Sequence, residues 1–242
     1  MKTAFITGSS RGIGRAIALR LAKDGFRVIL HCVRPSEKLD AVRREIEETG
    51  GTAVTEHADL TDPTETAALA ARLGGVDVLV LNASVQYRTP WREITVEAAT
   101  AQLNCNFVSS LLLIQALTPH MQEMGWGRVI TIGSVQEAKP HPDMLVYSAS
   151  KAAQANAVQS LALQLAGAGV TVNNVAPGVI YTDRNVEALS DPAYAEKVRA
   201  SIPVGFYGEP EDCAGIVSLL CSEEGRYITG QSIFVDGGKS VQ

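Results

Sequence analysis

The chain has 242 residues, of which 46% are hydrophobic and 19% charged, so it is long enough to form one domain, residues 1–242, around a full hydrophobic core. Its net charge of −5 excludes the clustered positive charge of a general nucleic-acid-binding protein. No segment has the length and apolar character of a membrane span or a signal peptide. We therefore expect a cytoplasmic protein whose partners are small molecules and other subunits, with no nucleic acid and no membrane.

The four cysteines lie far apart in the sequence, at Cys32, Cys105, Cys213 and Cys221. They form no C-x-x-C pair, and no group of histidines and cysteines has the spacing of a zinc site. We therefore expect free, mostly buried thiols and no bound metal.

Short apolar runs alternate along the chain with segments of helical periodicity. The runs predict strands at residues 3–7, 27–32, 52–57, 76–81, 128–132, 170–175 and 232–235. The periodic segments predict helices at residues 12–24, 36–49, 63–73, 95–124, 147–166, 185–201 and 211–222. Most of the strands are nearly continuous in Val, Ile and Leu, as expected when helices cover both faces of a sheet. The sequence therefore predicts an α/β fold with a doubly wound, seven-stranded parallel sheet and helices on both faces.

A glycine-rich turn joins the first strand to the first helix, and it has the sequence Thr7-Gly8-Ser9-Ser10-Arg11-Gly12-Ile13-Gly14. The unpaired N–H groups and the dipole of a helix start favour a bound pyrophosphate, and glycines let the backbone approach it closely. A purely structural turn is the alternative. The position between a strand and a helix favours nucleotide binding.

Tyr147 and Lys151 are four positions apart in a predicted helix. Residues with this spacing lie on one helix face, with Cβ atoms about 5–6 Å apart. A phenol with a pKa of about 10 is a poor base at neutral pH, but a fixed cation beside it favours the phenolate. The pair could therefore transfer a proton near pH 7. Such a pair also arises by chance, so its surroundings have to support this interpretation.

Ser134 follows the fifth predicted strand and lies thirteen residues before Tyr147. This spacing, the T-G-x-x-x-G-x-G turn and the Tyr-x-x-x-Lys pair together resemble the short-chain dehydrogenase/reductase (SDR) family over essentially the whole chain. The resemblance implies a Rossmann fold and an oxidoreductase that interconverts a carbonyl and an alcohol with a nicotinamide cofactor. It implies the catalytic residues Asn106, Ser134, Tyr147 and Lys151.

The roles of these four residues are also implied by the resemblance. The tyrosine transfers the proton, the serine polarises the substrate oxygen and the lysine holds the ribose. The asparagine holds a water in the proton relay to the lysine. Asn104 is a near neighbour that leaves the register open, although counting back from Gly133 favours Asn106.

The resemblance further implies which residues contact the cofactor. Besides Tyr147 and Lys151 they are Gly8, Ser10, Arg11, Gly12, Ile13, Gly14, Arg34, Asp59, Leu60, Asn82, Ala83, Pro177, Gly178, Ile180 and Thr182. Asp59 would hold the adenine amino group, although it would equally suit a cap for the helix that follows.

The choice between NAD and NADP depends on the end of the second strand. An acidic residue there would bind the ribose 2′-hydroxyl and repel a 2′-phosphate, but Cys32 occupies the position. Arg11 and Arg34 could instead form charge-assisted hydrogen bonds to a 2′-phosphate. NADP(H) is therefore favoured. NAD(H) is the alternative if both arginines merely face solvent.

Substrate selectivity is expected from the loops at the same end of the sheet. The predicted substrate contacts are Ser84, Gln86, Ser134, Gln136 and Tyr147, and a lid is predicted near residues 181–207.

The overall pattern resembles both 3-oxoacyl-carrier-protein reductases and sugar or polyol dehydrogenases. A carrier-protein reductase needs basic residues beside its cleft to meet the acidic carrier. Ala168 and Phe206 stand where such enzymes often have Arg, whereas Arg128 matches a further basic position. A small carbonyl or alcohol substrate is therefore favoured, and the carrier-protein reductase is the alternative.

Two further questions concern turnover and assembly. Proteins of this fold can also act as cofactor sensors without turnover, but the presence of Ser134, Tyr147 and Lys151 together favours an enzyme. The helices predicted at 95–124 and 147–166 carry more apolar residues than one sheet contact requires. This fits the helical interface of the family's homotetramers, or a homodimer, although burial in a monomer is the alternative.

Overall fold

A computed structural model describes the backbone of residues 1–242 and every side chain except those of Arg184, Glu187 and Ala188. The strands of the sheet are β1 (Thr3–Ile6), β2 (Arg27–Cys32), β3 (Thr52–His57), β4 (Val78–Leu81), β5 (Gly127–Ile132), β6 (Val170–Pro177) and β7 (Ser232–Val235). They lie in the order β3-β2-β1-β4-β5-β6-β7, and every neighbouring pair is parallel. The predicted seven-stranded parallel sheet is therefore confirmed.

The helices connect successive strands. They are α1 (Gly12–Lys23), α2 (Glu37–Glu48), α3 (Pro63–Leu73), α4 (Val96–Leu103), α5 (Ser109–Glu123), α6 (Leu145–Leu165), α7 (Asp183–Leu189), α8 (Pro192–Ala200) and α9 (Pro210–Cys221). Helices α1, α2 and α9 pack on one face of the sheet, and α3, α5 and α6 pack on the other.

A hydrophobic core lies on each face of the sheet, between the sheet and its helices. Successive side chains of a strand point to opposite faces, so each strand contributes to both cores. In β1, the buried side chains of Ala4 and Ile6 belong to the first core, while Phe5 between them belongs to the second. In β2, Val28 and Leu30 face the first core and Ile29 faces the second. A strand that is buried on both faces has no solvent-facing position for a polar residue, so these strands appear in the sequence as unbroken apolar runs.

The helix predicted at 95–124 consists of α4 and α5 joined by a π-helical turn, Asn104–Val108. Two side chains of this turn bond to other elements: Asn104 Nδ2 donates to Thr61 O at 3.0 Å, and Asn106 bonds to the loop after β4. Insertions of this kind often occur at functional sites. Apolar periodicity continues through the turn, so the sequence pattern predicts one helix.

The helix predicted at 185–201 is divided into α7 and α8, so the prediction of a single helix is wrong. Pro192 is the first residue of α8, and Asp191 caps it by accepting from the N–H of Ala193 at 2.9 Å. Proline has no N–H to donate and is favoured in a first helical turn, so a new helix begins there.

None of the four cysteines, all of which lie in the described part of the chain, forms a disulfide. Cys105, Cys213 and Cys221 are buried, and Cys32 is half-buried, as predicted. Burial raises the pKa of Cys213 and of Cys221 to about 12, because an apolar environment disfavours the thiolate. Among the described helices, none has both the length and the apolar character needed to span a membrane.

Candidate active site

A cavity of about 690 Å³ lies at the carboxyl ends of the strands, where the strand order reverses between β1 and β4. Ligands of doubly wound folds bind at this point. The predicted residues that line the cavity are Gly8, Ser10, Arg11, Gly12, Ile13, Gly14, Asp59, Leu60, Asn82, Ala83, Ser84, Gln86, Ser134, Gln136, Tyr147, Pro177, Gly178, Ile180 and Thr182. Three predicted residues, Arg34, Asn106 and Lys151, are not part of its lining.

The glycine-rich turn has the shape of a phosphate cradle. Gly8 and Gly12 have φ values of +65° and +54°, a region that glycine adopts without strain. A Cβ at Gly14 would lie 2.3 Å from the carbonyl oxygen of Gly8. Arg11 is the N-cap of α1 and makes no side-chain capping bond, so the first N–H groups of the helix remain for an anion.

Asn82 and Thr7 hold this turn against β4. The amide Nδ2 of Asn82 donates to the carbonyl oxygens of Thr7 and Gly8, both at 2.9 Å. Thr7 Oγ1 accepts from the backbone N–H groups of Asn82 and Ala83, also at 2.9 Å. The two strand ends are therefore fixed relative to each other at the centre of the cavity.

Asp59 lies beside the cavity at the end of β3. Its Oδ1 accepts from the N–H of Thr61 at 2.9 Å and from the hydroxyl of the same residue at 2.7 Å. The cap of α3 is Asp62, which accepts from Thr64 N–H at 2.7 Å. The alternative in which Asp59 caps that helix is therefore wrong, and the contact of Asp59 with the adenine amino group stays a prediction.

The two arginines predicted to bind a 2′-phosphate differ in position. Arg11 lines the cavity, and its Nη1 lies 3.6 Å from Asp183 Oδ2. Arg34 instead forms a two-pronged ion pair with Glu65, at 2.9 and 3.1 Å. This pair and the N–H of Asp59 lower the pKa of Glu65 to about 2. Before Arg34 can contact a cofactor, it must break one or both of its hydrogen bonds to Glu65.

His31 is a site residue that the sequence analysis missed. Its Nδ1 accepts from Gly8 N–H at 3.2 Å, and its Nε2 lies 3.1 Å from Ala58 O. The ring is therefore neutral with the hydrogen on Nε2, and it joins the glycine-rich turn to the end of β3. Burial lowers its pKa to about 4. A single histidine in an apolar strand has no sequence signature that separates this role from ordinary core packing.

His31 makes the stability of the protein depend on pH. Its pKa is about 4 when folded and 6.5 by reference, so between these values the unfolded chain binds more protons and acid favours unfolding. The difference corresponds to about 3 kcal/mol of unfolding free energy. We expect the Tm to fall as the pH decreases from about 6.5 to about 4, and to fall less in His31→Asn. Thermal unfolding across this range measures both. An equal loss in the variant, or an equal effect of His141→Asn, would contradict this assignment.

Ser134 begins a short 3₁₀ helix, Val135–Glu137, at the end of β5. Its Oγ accepts from Gln136 N–H at 3.2 Å, which leaves the hydroxyl hydrogen to be donated. Behind it, Glu137 accepts from Asn174 Nδ2 at 2.9 Å and from the hydroxyl of Ser232. Ser134 is therefore attached to a network that links β5, β6 and β7, and it lines the cavity as a hydrogen-bond donor.

Tyr147 forms part of the cavity wall, and Lys151 lies behind it. Lys151 Nζ is 5.9 Å from the centroid of the tyrosine ring. It donates to Ile132 O at 2.6 Å and to Gln154 Oε1 at 3.1 Å. Gln154 is a further residue that the sequence analysis missed, because a polar position in an otherwise apolar helix does not reveal its partner. The buried ammonium is thus held beside the ring.

Asn106, from the π-helical turn, is fully buried. Its Oδ1 accepts from Val85 N–H at 2.9 Å, and its Nδ2 donates to Ser150 Oγ at 3.0 Å. Ser150 immediately precedes Lys151, whereas Asn104 is directed away, to Thr61. Asn106 therefore lies closer to Lys151 than Asn104 does in the hydrogen-bond network, and its catalytic role stays a prediction.

Residues of the segment that contains α7 and α8 line one side of the cavity, and its role as a substrate lid stays a prediction. Its two ends meet at one place, where Tyr181 N–H donates to Gly208 O at 2.7 Å and Gly208 N–H donates to Val179 O at 3.0 Å. Gln136, predicted as a substrate contact, is anchored by Ser148 Oγ, which donates to its Oε1 at 2.8 Å. No group of three His, Cys, Asp or Glu residues suited to a metal ion occurs among the described side chains.

Comparisons with known proteins identify the family of this chain. A family profile described as enoyl-(acyl carrier protein) reductase matches residues 8–240. Glucose 1-dehydrogenase of Gluconobacter oxydans is 37% identical, over 99% of this chain and 92% of its own. The chain belongs to the short-chain dehydrogenase/reductase family. As a member, this SDR is an oxidoreductase that acts on a C=O/CH–OH pair.

Solved structures of similar SDRs contain NADP. A 3-oxoacyl-(acyl-carrier-protein) reductase from Agrobacterium tumefaciens C58 with bound NADP is 40% identical, with a TM-score of 0.93 over 98% of this chain and 93% of its own. A protein from Beutenbergia cavernae described as a putative NAD(P)-dependent gluconate 5-dehydrogenase, with NADP at low occupancy, is 34% identical, with a TM-score of 0.95 over 100% and 97%. The glycine cradle and the uncapped start of α1 in this SDR fit a dinucleotide of that kind.

Proposed function

We propose that this SDR uses NADP(H) to interconvert a small polar ketone, such as a keto-sugar, and the corresponding alcohol. The observation that carries the proposal is the arrangement of Ser134 and Tyr147 at the cavity wall, with the ammonium of Lys151 buried behind the tyrosine ring. The resemblance to a glucose dehydrogenase and to a putative gluconate dehydrogenase supports a sugar-like substrate.

A nicotinamide cofactor held by the glycine-rich turn and Arg11 would supply or accept the hydride at the substrate carbon. In reduction, the Ser134 hydroxyl donates a hydrogen bond to the carbonyl oxygen, and Tyr147 transfers its phenolic proton to the same oxygen. Lys151 stabilises the resulting phenolate because its charge is fixed beside the ring. Asn106, which donates to Ser150 Oγ beside Lys151, would hold a water of the relay that restores the proton. Oxidation follows the reverse path.

Preference for NADP(H) over NAD(H) is expected to depend on Arg11. In Arg11→Gln the KM for NADPH should rise about tenfold, because a charge-assisted hydrogen bond to the 2′-phosphate is lost, while the KM for NADH should change little. Steady-state kinetics with both cofactors measure this. Arg15→Gln is the matched control, since Arg15 is on the same helix and pairs with Glu45. An equal change in the KM for NADPH and for NADH would show that Arg11 does not contact the 2′-phosphate.

A carrier-protein substrate remains the second candidate, supported by the reductase from Agrobacterium tumefaciens. Arg128, the basic position that matched such enzymes, is only 2% exposed. Its guanidinium stacks on Trp126 at 4.3 Å and donates to Gly127 O at 2.8 Å. Arg128 therefore stabilises the start of β5 and is too buried to meet an acidic carrier, which favours the small substrate.

The reaction is tested by following NADPH and NADH oxidation with keto-sugars, diketones, aldehydes and acetoacetyl thioesters, free and on carrier protein. Turnover of a small ketone that is lost in Tyr147→Phe supports the proposal. Turnover of carrier-bound thioesters alone would favour the second candidate. Cofactor binding without turnover in either direction would favour a sensor.

We also propose that this SDR is a homo-oligomer and that it is located in the cytoplasm. Large apolar side chains are exposed on α4 (Val96, 77%; Leu103, 40%) and on α6 (Leu145, 51%; Leu163, 87%), which supports a homotetramer or homodimer built on these helices. The cysteines without disulfides support a cytoplasmic location. Light scattering measures the assembly.

A further inference from the structure

The substrate end of the cavity is lined by cations from separate parts of the chain. Arg88 follows β4, Lys139 follows the 3₁₀ helix that begins at Ser134, Lys197 is on α8 and Lys239 lies beyond β7. Each of them is among the residues of the cavity wall. No sequence pattern groups these four residues, because the first and the last of them are 151 positions apart.

Hydrogen bonds connect these segments. Arg88 Nη2 donates to Tyr194 OH on α8 at 3.4 Å, and Lys239 Nζ donates to Ser201 Oγ just after α8. Lys139 Nζ donates to Lys239 O at 3.1 Å and to Gln242 O. The four cations therefore surround one region, which α8 covers and the Ser134 loop borders.

Apart from the main-chain oxygen of Gln242, which accepts from Lys139, the charge of this region meets no ion-pairing carboxylate among the described side chains. Among the described side chains, none of the four cations has an acidic partner within ion-pair distance. The acidic residues that line the cavity are Asp59, at the end of β3, and Asp183, beside Arg11. Asp236 lies near Lys239, but its carboxylate accepts from the N–H groups of Gly238 and Ser240. Burial, and after it the charge of Lys139, lowers the pKa of Lys239, although Tyr194 and Asp236 act in the opposite direction.

We propose that these residues form an anion subsite, and that the substrate of this SDR carries a carboxylate or phosphate group in addition to its carbonyl or alcohol. This inference rests on the proposed function and names the substrate class within it. In a protein with a net charge of −5, a cleft with uncompensated cations concentrates anionic ligands and orients them. A group held by Arg88 and Lys197 would direct the other end of the molecule toward Ser134 and Tyr147.

The cofactor does not account for these charges. Its phosphates belong with the glycine-rich turn and Arg11, which lie on the far side of the strand-order reversal from the Ser134 loop. An acidic carrier protein is the competing occupant. The four cations line the cavity itself, whereas a carrier protein would need cations on the outer surface, where Arg128 is buried. This position favours a small anion.

The test compares a six-carbon keto-aldonate, a keto-sugar phosphate and the neutral keto-sugar of the same length. We expect a higher kcat/KM for at least one anionic compound than for the neutral one, and a rise in its KM with ionic strength. In Arg88→Gln and in Lys197→Gln, the anionic-to-neutral ratio of kcat/KM should fall about tenfold. A general loss of activity lowers kcat/KM equally for the anionic and the neutral compound, so it does not change this ratio.

The matched control is Arg199→Gln. Arg199 is on α8 two positions after Lys197 and pairs with Glu196 at 2.7 Å, outside the cavity wall, so the ratio should change by less than about twofold. Equal ratios in wild type and all variants, with turnover dependent on Tyr147, would overturn the anion subsite while leaving the proposed function intact. Turnover restricted to carrier-bound thioesters would also overturn it.

A binding measurement distinguishes failure of the anion subsite from failure of the proposed reaction. Calorimetry on the complex with NADP⁺ compares a six-carbon aldonate with the polyol of the same length. Tighter binding of the aldonate, weakened in Arg88→Gln, supports the subsite even if no tested ketone is reduced, in which case only the proposed reaction fails. Equal or undetectable affinity for both compounds overturns the subsite.

Discussion

Tyr147→Phe is expected to lower kcat by about 10²–10⁴-fold, the usual contribution of a general acid or base. The ring of Tyr147 is 6% exposed in the cavity wall, and phenylalanine fills the same space. The variant therefore loses the transferable proton but not the packing. The Kd for NADPH should stay within a few-fold of wild type, and kcat and kcat/KM should fall together, because the lost interaction is made in the transition state.

Single-turnover kinetics and a fluorescence titration with NADPH measure these two quantities. Tyr227→Phe is the matched control, since Tyr227 is 98% exposed and its hydroxyl has no part in the site. Near-normal turnover in Tyr147→Phe would show that another group protonates the substrate. A large loss of NADPH binding would show that the tyrosine acts mainly by positioning the cofactor.

Gly14→Ala is expected to have the second largest effect, at the other end of the cavity. The added methyl group would lie 2.3 Å from Gly8 O and 2.5 Å from Asn82 Nδ2, atoms that are bonded to each other at 2.9 Å. Either the glycine-rich turn or Asn82 must move. We expect the Kd for NADPH to rise by a hundredfold or more, about 3 kcal/mol, and the unfolding free energy to fall by about 1–3 kcal/mol, as in other overpacked sites.

Gly215→Ala provides the control for helix propensity. Gly215 is in α9, and a Cβ there meets nothing within 4 Å, so alanine should stabilise the helix by about 0.5–1 kcal/mol. Denaturant titration and NADPH binding on both variants separate the two effects. Unchanged cofactor affinity in Gly14→Ala would mean that the turn has more space than the structure shows.

The architecture could be predicted because each local pattern has a strong physical cause. Strands buried on both faces require unbroken apolar runs, and the glycine-rich turn requires backbone conformations that only glycine adopts without strain. Tyr147 and Lys151 could be paired because helical spacing alone places them together. These features depend on residues near one another in sequence.

The features that escaped prediction depend on contacts between distant residues. His31 bonds to Gly8 and to Ala58, Arg34 pairs with Glu65, and Arg88 meets Tyr194. No periodicity encodes these partners. The division of the predicted lid segment into α7 and α8 depends on Asp191 and Pro192, a local signal to which the prediction gave less weight than to the apolar spacing of the segment.

The two ends of the cavity are built from different stretches of chain. The glycine-rich turn and residues 59–61 line the part proposed to hold the cofactor, whereas the other part is lined by Gln86, Arg88, residues 139–142, Tyr194, Lys197, Val198 and Ser201. The second group belongs to loops and to α8, which pack on the sheet without forming its core. Surface segments of this kind accept mutation more readily than buried strands do. A lineage carrying this scaffold can therefore acquire a new substrate by altering the second group, while the hydride chemistry is inherited unchanged.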